Sequence, residues 1–232
     1  MQIKFASYNI HKAVGTDGRR DADRILTVLR EIGADVVALQ EVDRRFGRRA
    51  GVLPRALVEE QGYEIVPLAM RPDSMGWHGN ALLVRREIGI LGAEPVHLPT
   101  LEPRGAVRAG LSWEGSPLQV IGMHLDLSGL RRRHQVRKVM DDLNGSAARQ
   151  PAVLLGDFNE WSARGGCLRE FGDGWQVLAP GRSFPSRQPL AALDRIAFSP
   201  GWAVRGHGVH HSAMAAQASD HLPVWAVAEL PG

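Results

Sequence analysis

Six short apolar runs of this 232-residue chain end in, or carry, side chains of types that do chemistry: Asn9, Glu41, His124, Asp157 with Asn159, Asp194, and Asp220 with His221. A carboxylate is too costly to bury without a partner, so the end of a strand is where it can sit rigid yet reach solvent. Glu41 and Asp220 are hard oxygen ligands and Asn9 can add a neutral oxygen, a set that suits Mg²⁺, which takes few protein ligands and keeps several waters. His124 and His221 offer donors for a phosphoryl oxygen, or acid–base groups near neutral pH. A carboxylate such as Asp194 can fix the tautomer of one of them. Cys167 is the sole cysteine, so no internal disulfide can form and there is no Cys/His cluster for a structural zinc. There is also no G-x-S-x-G elbow and no P-loop.

Taken singly, each of these residues has an ordinary structural reading. Asn9 could cap a turn, Glu41 could pair with Arg44, His124 could be a half-buried core histidine, Asp194 could pair with Arg195, and Asp220 could cap a turn. Their placement gives them joint weight, because the elements that must position them are all apolar runs. Ile3 to Tyr8 reads as a strand ending at Asn9, and Val36-Val37-Ala38-Leu39 as one ending at Gln40-Glu41. In Leu118 to Asp126, period-two alternation puts Val120, Gly122, His124 and Asp126 on one face. Ala152 to Leu155, bounded by Pro151 and Gly156, reads as a buried strand delivering Asp157 and Asn159. Leu193 to Phe198 carries Asp194, and the closing strand Leu222 to Ala228 follows Ser219-Asp220-His221.

Between these strands the pattern predicts a helix capped by Asp21 or Asp23 and stopped by Gly33. It predicts a second over Leu53 to Gln61, a long one from Ser128 to Asn144, and a short one over Ala163 to Phe171. Arg131, Arg132, Arg133 and Arg137 are expected mostly on the outer side of the long helix. Asn80–Val84 and Ile88–His97 read as a hairpin, and His210 to Ala218 as a loop. Many strands with few long helices argue for two packed, mostly antiparallel or mixed sheets with helices outside.

Composition is close to the globular average, with 44% apolar and 23% charged residues, which excludes a disordered chain. The length suits a single domain spanning 1–232. The net charge is +3, almost all of the cations are arginine, and the lysines are Lys4, Lys12 and Lys138. That balance permits an anionic substrate, since arginine holds phosphate with a planar fork of donors. Arg44, Arg45, Arg48 and Arg49 could form a cationic collar beside Glu41, with most of them expected to be solvated surface charge. Neither a signal-peptide pattern nor a membrane-length apolar run is visible, so a soluble, cytoplasmic protein is the expectation, and a monomer is expected as well.

The motifs SYNIH (Ser7 to His11), LQEVD (Leu39 to Asp43), HGNALL (His78 to Leu83), GMHLD (Gly122 to Asp126), LLGDFN (Leu154 to Asn159), LDRIAF (Leu193 to Phe198) and SDHLPV (Ser219 to Val224) occur in this order over nearly the whole chain. In them the chain resembles the endonuclease/exonuclease/phosphatase, or DNase I-like, superfamily, and within it small bacterial members of uncertain substrate. The resemblance implies a four-layered α/β sandwich and a Mg²⁺- or Mn²⁺-dependent phosphoesterase. It implies Glu41 as principal metal ligand with Asn9 and Asp220 near the metal. Asp157 would orient or deprotonate the attacking water, and Asn159 would hydrogen-bond the scissile phosphate. His221, held by Asp194, would meet a phosphoryl oxygen, with His124 as a second phosphate-contacting histidine. Glu102-Pro103-Arg104-Gly105-Ala106 resembles an element of bacterial relatives in which Arg104 would reach a substrate phosphate, and Asn80 would face the same cleft. The expected substrate is a phosphodiester, of nucleic acid, phospholipid or a small molecule. A phosphomonoester is the alternative, and a non-catalytic phosphate-binding protein on the same fold a more distant one.

Overall fold

The computed structural model describes residues 2–45, 47–69, 71–99, 104–145 and 150–231. The apolar runs form strands where their side chains alternate between two apolar environments. In β2 (Val36–Gln40), Val36 and Ala38 join one cluster while Val37 and Leu39 join another. In β8 (Ala152–Asp157), Val153 and Leu155 face the first cluster, and Ala152 and Leu154 a third. A strand buried on both faces needs near-continuous apolar sequence, as both runs have.

One six-stranded sheet has the order β11-β12-β1-β2-β4-β3, from β1 (Gln2–Asn9), β2, β3 (Tyr63–Ile65), β4 (Ala81–Arg85), β11 (Ala203–Val209) and β12 (Val224–Glu229). The other has the order β5-β6-β7-β8-β10-β9, from β5 (Gly89–Val96), β6 (Gly105–Trp113), β7 (Ser116–His124), β8, β9 (Gln176–Leu178) and β10 (Asp194–Phe198). The shared core lies between them, built on Phe5, Leu82, Val107, Val120, Val153 and Phe198. Helices α1 (Ala22–Ile32) and α4 (Ala213–Ala218) cover the outer face of the first sheet through Ile25, Leu29 and Ala215. Helix α3 (Gly129–Asn144) covers the second through Val136 and Val139, and the short α2 (Arg55–Glu60) adds Val58 to the first outer cluster. These are the four layers of the expected sandwich.

Each sheet has one parallel pair at its centre, β1 with β2 and β7 with β8, the other pairings being antiparallel. The C-terminal ends of those four strands meet at one rim. Their antiparallel neighbours β12 and β10 begin at the same rim, since Val224 pairs with Ser7 and Asp194 with Asp157.

Four expectations are corrected. Residues 80–84 and 88–97 do not form a hairpin. The chain turns at Arg85–Ile88 and crosses from one sheet to the other, β4 pairing with β2 and β3, and β5 with β6. The reason is legible: Ala81-Leu82-Leu83-Val84 is apolar on both faces and belongs inside a sheet, whereas β5 holds Gly89, Gly92 and Pro95 and belongs at an edge. Residues 213–218 are helical rather than loop, because Ala-Met-Ala-Ala-Gln-Ala is strong helix sequence and the Ser212 hydroxyl accepts from Ala215 N. Over 163–171 a single 3-10 turn, Gly166–Glu170, stands where a short α-helix was expected. Arg132 faces inward, buried against Glu160, while Arg131, Arg133 and Arg137 stay outward.

Candidate active site

Strand periodicity places the polar residues before any interaction is counted. On β1, Ile3 and Phe5 face the inter-sheet core, so Ser7 and Asn9 continue that face. On β8, Val153 and Leu155 lead to Asp157; on β7, Leu118 and Val120 lead to His124; on β10, Ile196 and Phe198 lead back to Asp194. The polar set is therefore the rim of the inner faces of both sheets. Across the gap Asn9 Nδ2 donates to Asp157 Oδ2 at 3.1 Å, joining the two sheets at their ends. Below it, Gln40 Nε2 donates to Ser7 Oγ at 3.3 Å and to Ala38 O at 3.2 Å, a polar floor over the apolar core.

Asp157 is 1% exposed and densely held. Its Oδ1 accepts from Asn159 N at 2.9 Å, and Oδ2 lies 3.5 Å from His124 Nε2 and 3.7 Å from His221 Nε2. The strand reaches this point because residue 156 is glycine. A β-carbon there would stand 1.9 Å from Met123 O on the paired strand, closer than atoms can approach. Asn159 takes a left-handed backbone (φ 49°), which turns its side chain back so that Nδ2 donates to Leu125 O at 3.0 Å. One of its two amide hydrogens remains for another acceptor.

The two histidines are held in opposite states. His221 Nδ1 and Asp194 Oδ2 are 3.0 Å apart, and the Ser183 hydroxyl donates to the same oxygen at 2.5 Å. Burial works against the charged His221 ring, but the carboxylates of Asp194 and Asp157 outweigh it and raise its pKa to about 10. His221 is thus an imidazolium at neutral pH, with both nitrogens donating. Burial lowers His124 to about 4 despite the Asp157 carboxylate, so it is neutral. Its Nε2 accepts from Arg104 Nη1 at 2.6 Å, which puts the ring proton on Nδ1. Arg104 also donates to Leu125 O at 2.7 Å, the carbonyl that receives Asn159.

Glu41 and Asp220 form a more open region. Their side chains are 22% and 39% exposed. Glu41 has a left-handed backbone (φ 58°), and the HGN turn explains how it is kept: Gly79, at φ 80°, lies against its backbone and Gly79 O accepts from Val42 N at 3.0 Å. Neighbouring residues of one turn face the two carboxylates. The Lys12 ammonium lies on Glu41, and His11 Nδ1, which bonds Val14 O, lies 3.9 Å from Asp220 Oδ1. Burial acts to raise the Glu41 carboxyl, but surrounding positive charge, Lys12 included, leaves it lowered. Ser219 Oγ donates to Asn9 O at 2.7 Å, tying the Asp220 loop to the end of β1.

All of the sequence-predicted residues except Asn80 and Arg104 thus lie at this rim, at strand ends or in the loops that adjoin them, and Arg104 joins them through His124. Asn80 is buried, its amide directed at the carbonyls of Trp77 and His78 (3.4 and 3.5 Å), so it shapes the turn that covers Glu41. Glu102 and Pro103 lie outside the described residues. The alternative pairing of Asp194 with Arg195 is not made by the side chains: the Arg195 guanidinium binds the carbonyls of Ala192, Asp194, Glu160 and Ser162 and buttresses the segment after Asn159.

Sequence reasoning missed Lys12, Ser183 and Arg71. Lys12 carries a signal in hindsight, being one of three lysines in an arginine-rich chain and directly following the NIH of the first motif. A solvent-open cleft lies at Glu41 and His124 and is also lined by Lys12, Asp43, Arg44, Arg45, Arg49, Arg71, His78 and Arg104. The collar is therefore cleft-facing at Arg44, Arg45 and Arg49, while Arg48 points to Asp73 at 3.7 Å.

Among the described residues no three His, Cys, Asp or Glu side chains are grouped to hold a metal ion. Two hard carboxylates, Glu41 and Asp220, one of them already neutralised by an ammonium, match a small hydrated divalent cation.

The chain is 27% identical over 216 residues to YbhP of Escherichia coli strain K12, an uncharacterized protein, covering 84% of this chain and 83% of that one. Its fold is similar to a mannosyl-6-phosphatase of Bacteroides thetaiotaomicron (TM-score 0.75, 18% identity, 98% and 100% of the two chains). It is similar again to D. rerio TDP2 complexed with a single-strand DNA product (TM-score 0.74, 17% identity, 98% and 99%). The model of the endonuclease/exonuclease/phosphatase family matches residues 6–221, from β1 to the last histidine of the site, and the chain belongs to that family.

Proposed function

We propose that this protein hydrolyses a phosphodiester by attack of water on phosphorus, in the presence of Mg²⁺ or Mn²⁺. The observation that carries the reading is the Asp157 carboxylate, immobilised by Asn9 and by the backbone of Asn159 and set between one neutral and one cationic histidine. In-line attack on a phosphate needs a placed nucleophile and neutralised charge more than covalent chemistry. Asp157 orients the attacking water and takes its proton. The free amide hydrogen of Asn159 and the imidazolium Nε2 of His221 bind phosphoryl oxygens, and Asp194 keeps the His221 ring charged and fixed. Arg104 completes the cationic side, with neutral His124 positioning its guanidinium. Glu41 would hold the divalent cation with Asp220 beside it, and Asn9, whose Oδ1 accepts from His11 N at 3.1 Å, would order the turn next to both. When bound, such a cation supplies Lewis-acid neutralisation of the charge that builds on the phosphoryl oxygens and the leaving group.

Because the site draws on residues from Asn9 to His221 and on both sheets, we take 1–232 as one catalytic domain, acting as a monomer in the cytoplasm. Among the described residues no helix is long and apolar enough to cross a membrane. Hydrolysis of bis(p-nitrophenyl) phosphate in heavy-oxygen water tests the reaction. Label entering the phosphate product, with activity abolished by EDTA and restored by Mn²⁺, is expected. Label in the phenol, or full activity in EDTA, would contradict it. A second reading, a phosphomonoesterase, is favoured by the density of cations in the cleft, since a monoester is a dianion. A higher kcat/KM on p-nitrophenyl phosphate than on the diester would select it.

A further inference from the structure

We propose that the arginines of the cleft form a second anion subsite, which takes a phosphate group of the substrate other than the one being cleaved. The inference rests on the phosphoesterase reading and names a property of its substrate.

The first observation is where the charge lies. The cleft at Glu41 is lined by Lys12, Arg44, Arg45, Arg49, Arg71 and Arg104, six cations against the two carboxylates of Glu41 and Asp43. That excess of four is larger than the net +3 of the whole chain, so the rest of the molecule is slightly negative. The positive balance is thus concentrated in one concavity. Low-dielectric walls make such a concavity focus its field on an entering anion.

The second observation is that the two carboxylates are already engaged. Glu41 meets Lys12. Asp43 accepts from Met75 N at 2.7 Å and Gly76 N at 3.4 Å.

The third is that the loop carrying the arginines is tied down. Asp43 and Gly51 form an isolated antiparallel bridge, and Arg44 N donates to Ala50 O at 3.0 Å. Arg71 Nη1 donates to Gly47 O at 3.1 Å, clamping the loop from a second segment. Gly47 and Arg49 both take left-handed backbone (φ 69° and 52°). A surface charge run would need none of this. One arginine of the same run, Arg48, is 89% exposed and lies outside the lining, near Asp73.

The fourth is that the proposed chemistry does not call on these arginines. One scissile phosphate is met by Asn159, His221 and Arg104 at the buried end, which leaves the arginines of residues 44–49 and Arg71 without a role in the reaction itself. Arginine's planar fork makes phosphate the matching anion.

The test uses two matched substrate pairs with Mn²⁺: a thymidine dinucleotide with and without a 5′-phosphate, and p-nitrophenyl propyl phosphate with and without a phosphate at the far end of the propyl chain. The expected result is a KM about tenfold or more lower for the phosphorylated member of at least one pair, the scale of one or two charge-assisted hydrogen bonds. Preference in the dinucleotide pair assigns the group to a nucleic-acid end, and preference in the propyl pair to a small bisphosphate. The double variant R44Q/R71Q should bring the ratio close to one, mainly through KM, while Arg48→Gln should leave the ratio as it is. Equal KM values within both pairs, or the same loss of ratio in Arg48→Gln, would overturn the subsite. A binding readout separates it from the reaction: in EDTA, inorganic pyrophosphate should raise the Tm of the unaltered protein more than inorganic phosphate does, and the double variant should lose that difference. Turnover absent with this difference present would sink the hydrolase reading and keep the subsite; pyrophosphate acting equally on both proteins would sink the subsite.

Discussion

The two ends of the site are held in opposite ways. Asp157 and Asp194 are buried; both oxygens of Asp157 and Oδ2 of Asp194 are fixed by Asn9, Asn159 N, Ser183 and two histidines. Glu41 and Asp220 are partly open and faced by Lys12 and His11, and Glu41 lines an arginine-rich cleft. The buried end is defined by geometry and the open end by charge. A fixed carboxylate that must take a proton from a placed water benefits from rigidity. A carboxylate that must admit a hydrated cation and a polyanion benefits from access. The difference separates what variants at each end should do: the buried end should govern kcat, and the open end should govern what concentration of cation or substrate is needed.

The strongest way to break this contrast is Asp157→Asn. The side chain keeps its shape but loses its basicity. A fall in kcat of about 10³-fold is expected, from the general range for a positioned base, with unaltered circular dichroism and an unaltered Mn²⁺ requirement. Activity within tenfold of the starting protein would remove Asp157 from its role. At the open end, Glu41→Gln should instead raise the Mn²⁺ concentration for half-maximal activity by about 100-fold, the upper end of what weakened ligation costs. Titration of activity against Mn²⁺ measures it. An unchanged midpoint would mean that Glu41 is not the ligand.

How much of this was legible in sequence follows the same division. Asn9, His124, Asp157 and Asp194 are continuations of inner-face stripes, and period-two alternation carries a polar residue to a strand end in a way that can be read from Val153, Leu155 and Asp157 alone. The helix-capping signals of α1 were legible for the same local reason, with Asp21 capping and Gly33 ending it. What escaped depended on long-range placement. Ser183 sits in an irregular segment with no periodicity, and only the fold brings it to Asp194. Arg71 is far from residues 44–49 in sequence and meets them through Gly47. The hairpin misreading has a similar cause: a tight turn at residues 85–88 is compatible with either pairing or crossing, and the choice is made by which sheet can bury β4.

Smaller effects sharpen the buried end through pH. In metal-free protein the two histidines should titrate stability in opposite senses. His221 has a folded pKa raised to about 10 from an ordinary 6.5, because Asp194 and Asp157 outweigh its burial. Its contribution is therefore fully present below pH 6.5, shrinks above it and is lost as pH rises through about 10. His124 is lowered by burial to about 4, so the unfolded chain binds the proton more readily, and the neutral ring's contribution is lost as pH falls from 6.5 through 4. Urea unfolding of the protein and of His221→Gln and His124→Gln across that range should show the first difference narrowing toward alkali and the second toward acid. Parallel behaviour of the two variants would refute the opposite charge states.

The smallest expected change in rate comes from Ser183→Ala. The Ser183 hydroxyl donates to the same Asp194 oxygen that His221 Nδ1 approaches, at 2.5 and 3.0 Å. It touches no reacting atom in the proposed chemistry, so it is a positioning residue at one remove. Without it Asp194 leans wholly on His221. The His221 ring should then titrate slightly higher, by NMR, and kcat should fall by less than tenfold, while stability falls by about 2 kcal/mol, the scale of a buried hydrogen bond to a charged group. The signature that distinguishes positioning from mere packing is the direction of the His221 titration. Loss of packing around the pair would admit water and bring that pKa down toward 6.5, whereas loss of a competing donor on Asp194 moves it up. A rate loss as deep as that of Asp157→Asn would instead mean that the buried end works as one indivisible unit reaching back to Ser183.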